Sequence, residues 1–123
     1  MTEIVHKELS YKIIGIAMEV HNTLGGGFLE KVYENSMMIL FEENNLNAKN
    51  QVKIDVFFKN KVVGDYVADI LVDDKIILEL KTVEKISDIH RAQLFNYLKA
   101  TNKKLGIIIN FKNQKLEYER IVL

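Results

Sequence analysis

The sequence predicts an α/β (α+β) protein, a central mixed sheet flanked by helices, with elements in the order ααβββαββ. Three observations predict it. Apolar residues recur at three- and four-residue steps through two stretches before residue 45. The period then changes to two. Finally, a helical stretch separates two continuous apolar runs, so the second run can join the sheet parallel to the first by a right-handed crossover.

The first helix is expected from Ser10 to Leu24, with Ile13, Ile14, Ala17, Met18, His21 and Leu24 on its apolar face. Ser10 is placed to cap it, with Leu9 and Ile14 as a hydrophobic staple. Gly25-Gly26-Gly27 stops it, because glycine takes the left-handed conformation without steric cost. The second helix should run from Leu29 to Asn44 on a stripe of Leu29, Val32, Tyr33, Ser36, Met37, Leu40 and Phe41. Alternation predicts a strand at 51–58, a turn at Lys59-Asn60-Lys61 and a second strand at about 62–72. Ile76 to Thr82 is continuously apolar apart from two charges, as in a central strand buried on both faces. Ser87 caps a third helix at about 88–101, and strands follow at 105–111 and 115–122.

The 123 residues allow one domain, 1–123. Seventeen basic side chains balance seventeen acidic ones, which argues against a protein that coats nucleic acid non-specifically. Without cysteine there is no disulfide framework, thiolate zinc site, iron–sulfur cluster or cysteine nucleophile. No apolar run approaches the ~18 residues of a membrane span, and the first fifteen residues carry no secretion-signal pattern, so a cytoplasmic protein is expected. From Lys99 to Lys115 there are five lysines and no acid. That stretch reads as a solvated surface or, through Lys99, Lys103, Lys104 and Lys112, as a phosphate-facing rim.

The chemistry sits in the third strand. Glu79 and Lys81 interrupt its apolar run two residues apart, hence on one face. Buried charges of this kind are costly without partners, and the alternative is a strand with one exposed face. Asp69 breaks the apolar run of the preceding strand in the same way. A two-residue loop at Asp73-Asp74 would put Asp69 and Glu79 on opposite faces, whereas a three-residue loop pairs Val72 with Ile76 and Asp69 with Glu79. The three-residue loop is expected. Two carboxylates beside a lysine are what metal-assisted phosphodiester hydrolysis uses, with Mg²⁺ or Mn²⁺ on hard oxygen ligands. Asp69 and Glu79 would hold the ion, with the Leu80 carbonyl a further ligand that a structure soaked in Mn²⁺ would reveal. Lys81 would orient the attacking water or help deprotonate it and offset the developing negative charge.

At Gly27-Phe28-Leu29-Glu30-Lys31-Val32-Tyr33 the chain resembles the GxxExxY proteins, a branch of the PD-(D/E)XK nuclease superfamily with the restriction-endonuclease-like fold. Glu19 to Gly25, Ala68 to Val72, Glu79-Leu80-Lys81, His90 to Leu94, Tyr97 to Thr101 and Gly106 to Phe111 carry the same resemblance. It implies a metal on Asp69 and Glu79 and a catalytic Lys81. The first reading is therefore a divalent-metal-dependent nuclease acting on DNA, with RNA as an alternative, although the resemblance itself does not imply the substrate. A non-catalytic nucleic-acid- or protein-binding module that keeps the fold is the competing reading. Ala68 stands where the superfamily has proline, and Gly26 where the family often has it.

The resemblance points to Glu30 as a third acid of the site. It points also to Gln93 and Tyr97, one turn apart on the third helix, as residues lining the site or contacting DNA. Tyr33 reads as a half-buried core tyrosine, His21 as a buried hydrogen-bonded histidine, and His90 as a helix-surface histidine. Glu19 lies off His21's face. Small nucleases of this fold often pair into homodimers, since one monomer cuts one strand, but no stretch here identifies an interface.

Overall fold

The computed structural model describes residues 4–123. The elements are α1 (Lys7–Leu24), α2 (Glu30–Glu43), β1 (Ala48–Phe58), β2 (Lys61–Val72), β3 (Ile76–Lys81), α3 (Asp88–Thr101), β4 (Leu105–Asn110) and β5 (Glu117–Val122). The order is the predicted one. Among the described residues no helix is long and apolar enough to cross a membrane. The secretion-signal reading rests partly on residues 1–3, outside the described residues.

The five strands lie in sequence order, β1-β2-β3-β4-β5. Among the described residues only β3 and β4 are parallel, joined through α3. The outer pairs are antiparallel. β3 and β4 are buried on both faces, which is why they read as unbroken apolar runs. Helices α1 and α2 cover one face through Ile13, Ala17, Tyr33, Met37 and Phe41, packed on Ile70, Val72, Leu78, Leu80, Ile107 and Ile109. Helix α3 covers the other, where Leu94, Tyr97 and Leu98 meet Ile54, Ala68, Ile77 and Ile108.

Helix α1 starts three residues before the expected Ser10. His6 occupies the N-cap position in the left-handed region (φ 49°) without capping by side chain. Ser10 is buried instead, because its Oγ accepts from Arg120 Nε of β5 (3.2 Å). On α2 the predicted stripe shifts: Leu29 and Val32 are exposed, and Glu34 joins Tyr33, Met37 and Phe41 in the buried set. The stop at Gly25 holds, with φ 70°. Ser87 caps α3 as expected in a capping box: its side chain accepts from the His90 backbone N–H, and its own N–H donates to His90 Nδ1 (3.0 Å).

The three-residue connection Asp73–Lys75 is present, and Val72 faces Ile76, Leu71 faces Ile77 and Ile70 faces Leu78. The β2–β3 ladder stops there. A second irregularity lies at the same level. In the β1–β2 ladder every position from Ala48 to Val56 has a partner except Gln51, opposite Asp69. Gln51 takes a left-handed φ of 52°, an unusual conformation for a side chain of its size. Below this point Ala48, Ile70 and Val72 face α1 and α2; above it Val52, Ile54 and Ala68 face α3. Strict alternation would keep all even positions on one face. The ribbon therefore switches faces at Gln51 and Asp69.

Candidate active site

Asp69 sits where β2 changes face, and there side chains take over the ladder. Its backbone N–H donates to Glu79 Oε2 (2.9 Å), and Leu80 N–H donates to Asp69 Oδ2 (2.7 Å). The two strands part around a pair of carboxyl groups. The N–H and C=O of one strand residue point to the same side, so the Leu80 carbonyl is directed into the same crevice. Lys81, next on β3, turns its own carbonyl the other way, to Phe111 N–H (2.9 Å). Its half-buried side chain lies on Glu79's face, and its charge lowers the pKa of both carboxyls.

That help is incomplete. Glu79 is only 4% exposed, and burial, followed by the charge of Asp69, pushes its carboxyl up to about 8. Asp69 is raised too, first by burial and then by Glu30 and Glu34, against the Leu80 N–H and Lys81. The crevice is thus an acid cluster short of positive charge. Among the described residues no group of three or more histidine, aspartate or glutamate side chains converges on one point. Two carboxylates with a carbonyl suit an ion such as Mg²⁺, which uses one or two protein carboxylates and keeps its remaining positions for water and phosphate.

Tyr97 closes the α3 side. Burial, then Glu79 and Asp69, hold its hydroxyl at about 12, while the Gln93 side chain acts in the opposite direction. Tyr97, buried, therefore stands beside the carboxyl pair, and Gln93, exposed, lies next to Tyr97. On the other side Glu30 opens α2, exposed, with its charge within reach of Asp69.

The glycine turn fixes where α2 begins. A Cβ on Gly26 would lie 2.2 Å from the Lys112 carbonyl oxygen, so the turn packs directly on the β4–β5 connection. Tyr33 stacks on Phe111 (4.4 Å, 10° between planes) and its hydroxyl donates to the Gly25 carbonyl (2.6 Å). The Nε2–H of His21 donates to the Asn113 carbonyl (2.8 Å). His21 is thus the buried histidine that the sequence suggests, and Tyr33 is a core tyrosine, fully buried rather than half-buried. Asn110, fully buried, donates to the Val83 carbonyl and Glu117, and accepts from Val83 N–H. It ties down the chain just after Lys81.

Residues 7–121 match the family model of the PD-(D/E)XK nuclease superfamily. The chain belongs to this superfamily. Solved structures agree on the fold. The crystal structure of SSO0001 superposes with a TM-score of 0.59 at 18% identity, over 95% of this chain and 57% of the other. An alkaline exonuclease (LHK-Exo) from Laribacter hongkongensis gives a TM-score of 0.56 at 11% identity, over 99% and 72%. The present chain thus spans little more than half the length of SSO0001. No curated protein matches it.

Around this PD-(D/E)XK core the lysine-rich stretch does not form one rim. Lys103 and Lys104 precede β4, at the end of the sheet opposite Lys81, where Lys103 pairs with Asp74 (3.0 Å). Lys99 lies in the last turn of α3, towards that same end. Lys112 and Lys115, in the β4–β5 connection, follow β4 to the end where Lys81 lies, because a parallel strand separates the two groups by its whole length.

Glu34 is the residue of interest that pattern reading passed over. It is buried, and accepts from Lys31 Nζ (2.8 Å), Asn50 Nδ2 (2.9 Å) and Gln51 Nε2 (2.8 Å). It therefore grips β1 at the residue that faces Asp69. The signal available was spacing: Glu34 follows Tyr33 and precedes Met37 by three, on the apolar side of α2.

Proposed function

We propose that the protein is a divalent-metal-dependent nuclease that hydrolyses phosphodiester bonds in DNA or RNA, of the GxxExxY branch. The observation that carries this reading is the meeting of Asp69 and Glu79 at the Leu80 backbone where β2 and β3 part, with Lys81 on the same face as Glu79. The segments Ala68-Asp69 and Glu79-Leu80-Lys81 also follow the superfamily's signature, apart from the proline that Ala68 replaces.

Asp69 and Glu79 would hold Mg²⁺ or Mn²⁺ with the Leu80 carbonyl. The ion when bound supplies Lewis acidity at the phosphoryl oxygen and a more acidic water. Lys81 orients that water and offsets charge developing on the phosphate. Glu30 adds an acid on the solvent side, and Gln93 with Tyr97 forms the wall against which the strand lies. The roles of Tyr33 and His21 are to fix the glycine turn, and hence Glu30, on the end of β4.

The test combines Mn²⁺ calorimetry with cleavage of labelled single- and double-stranded DNA and RNA. Wild type binds Mn²⁺ at millimolar concentration or tighter and cuts at least one substrate. Asp69→Asn loses both. Lys81→Met retains Mn²⁺ but not cleavage. Binding of nucleic acid without any cleavage in Mn²⁺ would favour the non-catalytic module, which the balanced net charge also fits.

A further inference from the structure

Beyond Ile70, β2 pairs only with β1, and the two strands continue as a two-stranded ribbon, packed on α3 through Ile54 and Ala68 at its base, to the turn at Lys59-Asn60. Both turn residues have positive φ (50° and 65°), the two-residue hairpin that matches strand twist, so the tip is a built turn. A register shift between Val56 and Phe57 twists it further. The tip is conspicuously apolar. Phe57, Phe58, Val62 and Val63 are 63%, 64%, 54% and 62% exposed. Large side chains clustered and exposed in this way mark a contact surface.

We infer that this tip is a stacking platform for unpaired bases of a nucleic-acid strand whose backbone runs along the ribbon to Asp69 and Glu79. The inference rests on the nuclease reading above and adds where the substrate is held. Charge at the tip favours this occupant, although Asp55 and Asp65 face each other across the ribbon between tip and crevice. From Phe57 to Val63 there are two lysines and no acid, and Lys59 Nζ sits 5.7 Å from the centre of the Phe58 ring. Aromatic faces beside lysines are what single-stranded nucleic acid requires: rings for bases, ammonium groups for phosphates. A second copy meeting tip to tip would bring like charges together across a two-fold axis, and lysines on a ribbon edge oppose strand pairing between copies.

Continuity with the site supports the same occupant. Between tip and crevice, the Tyr66 ring packs on Tyr97 (5.4 Å between centroids), and Tyr97 borders Glu79. Seven residues separate Val62 from Asp69 on β2. At strand rise that is about 23 Å, or roughly seven stacked nucleotides. A base on the tip would lie about that many positions from the phosphate at the carboxyl pair.

The chain contains no tryptophan, so Phe58→Trp gives a single reporter. Its emission is followed as a fluorescein-labelled 20-nucleotide DNA or RNA strand is added in chelator, with anisotropy of the label reporting binding independently. Saturable quenching in parallel with binding is the expected result, and the Phe57→Ala/Phe58→Ala double variant binds about tenfold or more weakly. Binding without quenching, with affinity unchanged in the double variant, overturns the tip and leaves the nuclease reading intact. Emission that shifts with protein concentration alone, and not with the strand, assigns the tip to a second copy and overturns it too. Absence of both binding and Mn²⁺-dependent cleavage removes the nuclease reading and this inference with it.

Discussion

Replacing Glu79 by glutamine should stabilise the metal-free protein at pH 8. The amide keeps the oxygen that accepts the Asp69 N–H, but removes a charge that is buried and faces a second carboxylate. In the unfolded chain Glu79 loses its proton near 4.5, and in the folded chain near 8. Between these values the folded state binds more protons than the unfolded one, so stability falls as pH rises through the window. At about 1.4 kcal/mol per pH unit, the full interval of 3.5 units corresponds to at most about 5 kcal/mol. Roughly 4 °C of melting temperature per kcal/mol makes even half of that plain in a thermal melt for a chain of this length. The assay is unfolding followed by circular dichroism at pH 5, 6, 7 and 8 in chelator, for wild type and Glu79→Gln. Wild type loses stability from pH 5 to pH 8, and the variant shows a much flatter profile and melts higher at pH 8. Adding Mn²⁺ at pH 8 restores wild type and leaves the variant unchanged, because only an ion bound to the folded state stabilises it. A wild-type midpoint that is flat across this range, or a variant that keeps the wild-type slope, would refute the account of an unneutralised carboxyl pair.

Three further outcomes follow from the same geometry. Glu34→Ala should cost about 2–3 kcal/mol in urea unfolding, since it strips partners from Asn50, Gln51 and Lys31 around a half-enclosed site, and should weaken Mn²⁺ binding by loosening the strand opposite Asp69. Because the carboxyl of Glu34 is held below its ordinary value of 4.5 by those partners despite its burial, its contribution is present above 4.5 and lost as pH falls through the lowered value. A urea series from pH 6 to pH 3 reads that loss, and the loss is smaller in Glu34→Gln. Gly26→Ala should destabilise by about 1–3 kcal/mol, because its methyl group meets the Lys112 carbonyl and the α2 turn must move; the urea midpoint checks it. Tyr33→Phe should cost about 1 kcal/mol, for the bond to the Gly25 carbonyl, in the same urea assay.

The sequence reveals most of the fold because its periods are clean. Ile76–Lys81 and Leu105–Asn110 are apolar on both faces and land as central strands, and Asp73–Lys75 has the length that places Asp69 opposite Glu79. Where interpretation fails, a distant partner decides. Ser10 has the chemistry of an N-cap, but Arg120, 110 residues away, takes its hydroxyl, and the helix extends past it. Lys99 to Lys115 is one run in the chain, but a helix end and a six-residue strand carry its members to opposite ends of the sheet. The change of face at Gln51 and Asp69 leaves no trace in the alternation pattern, because it depends on a carboxylate of α2 gripping β1. The candidate site was legible as far as charges in apolar strands can show it; the support beneath it was not.

That change of face also separates two kinds of evolutionary freedom. The phase of the ribbon is reset at Gln51 by Glu34, which belongs to the body of the protein, so the distal hairpin does not determine where Asp69 points. Matched insertions or deletions beyond this point leave the carboxyl pair in place, whereas a single-residue shift below it turns Asp69 away from Glu79. The length of the ribbon can therefore change without moving the carboxyl pair at its base.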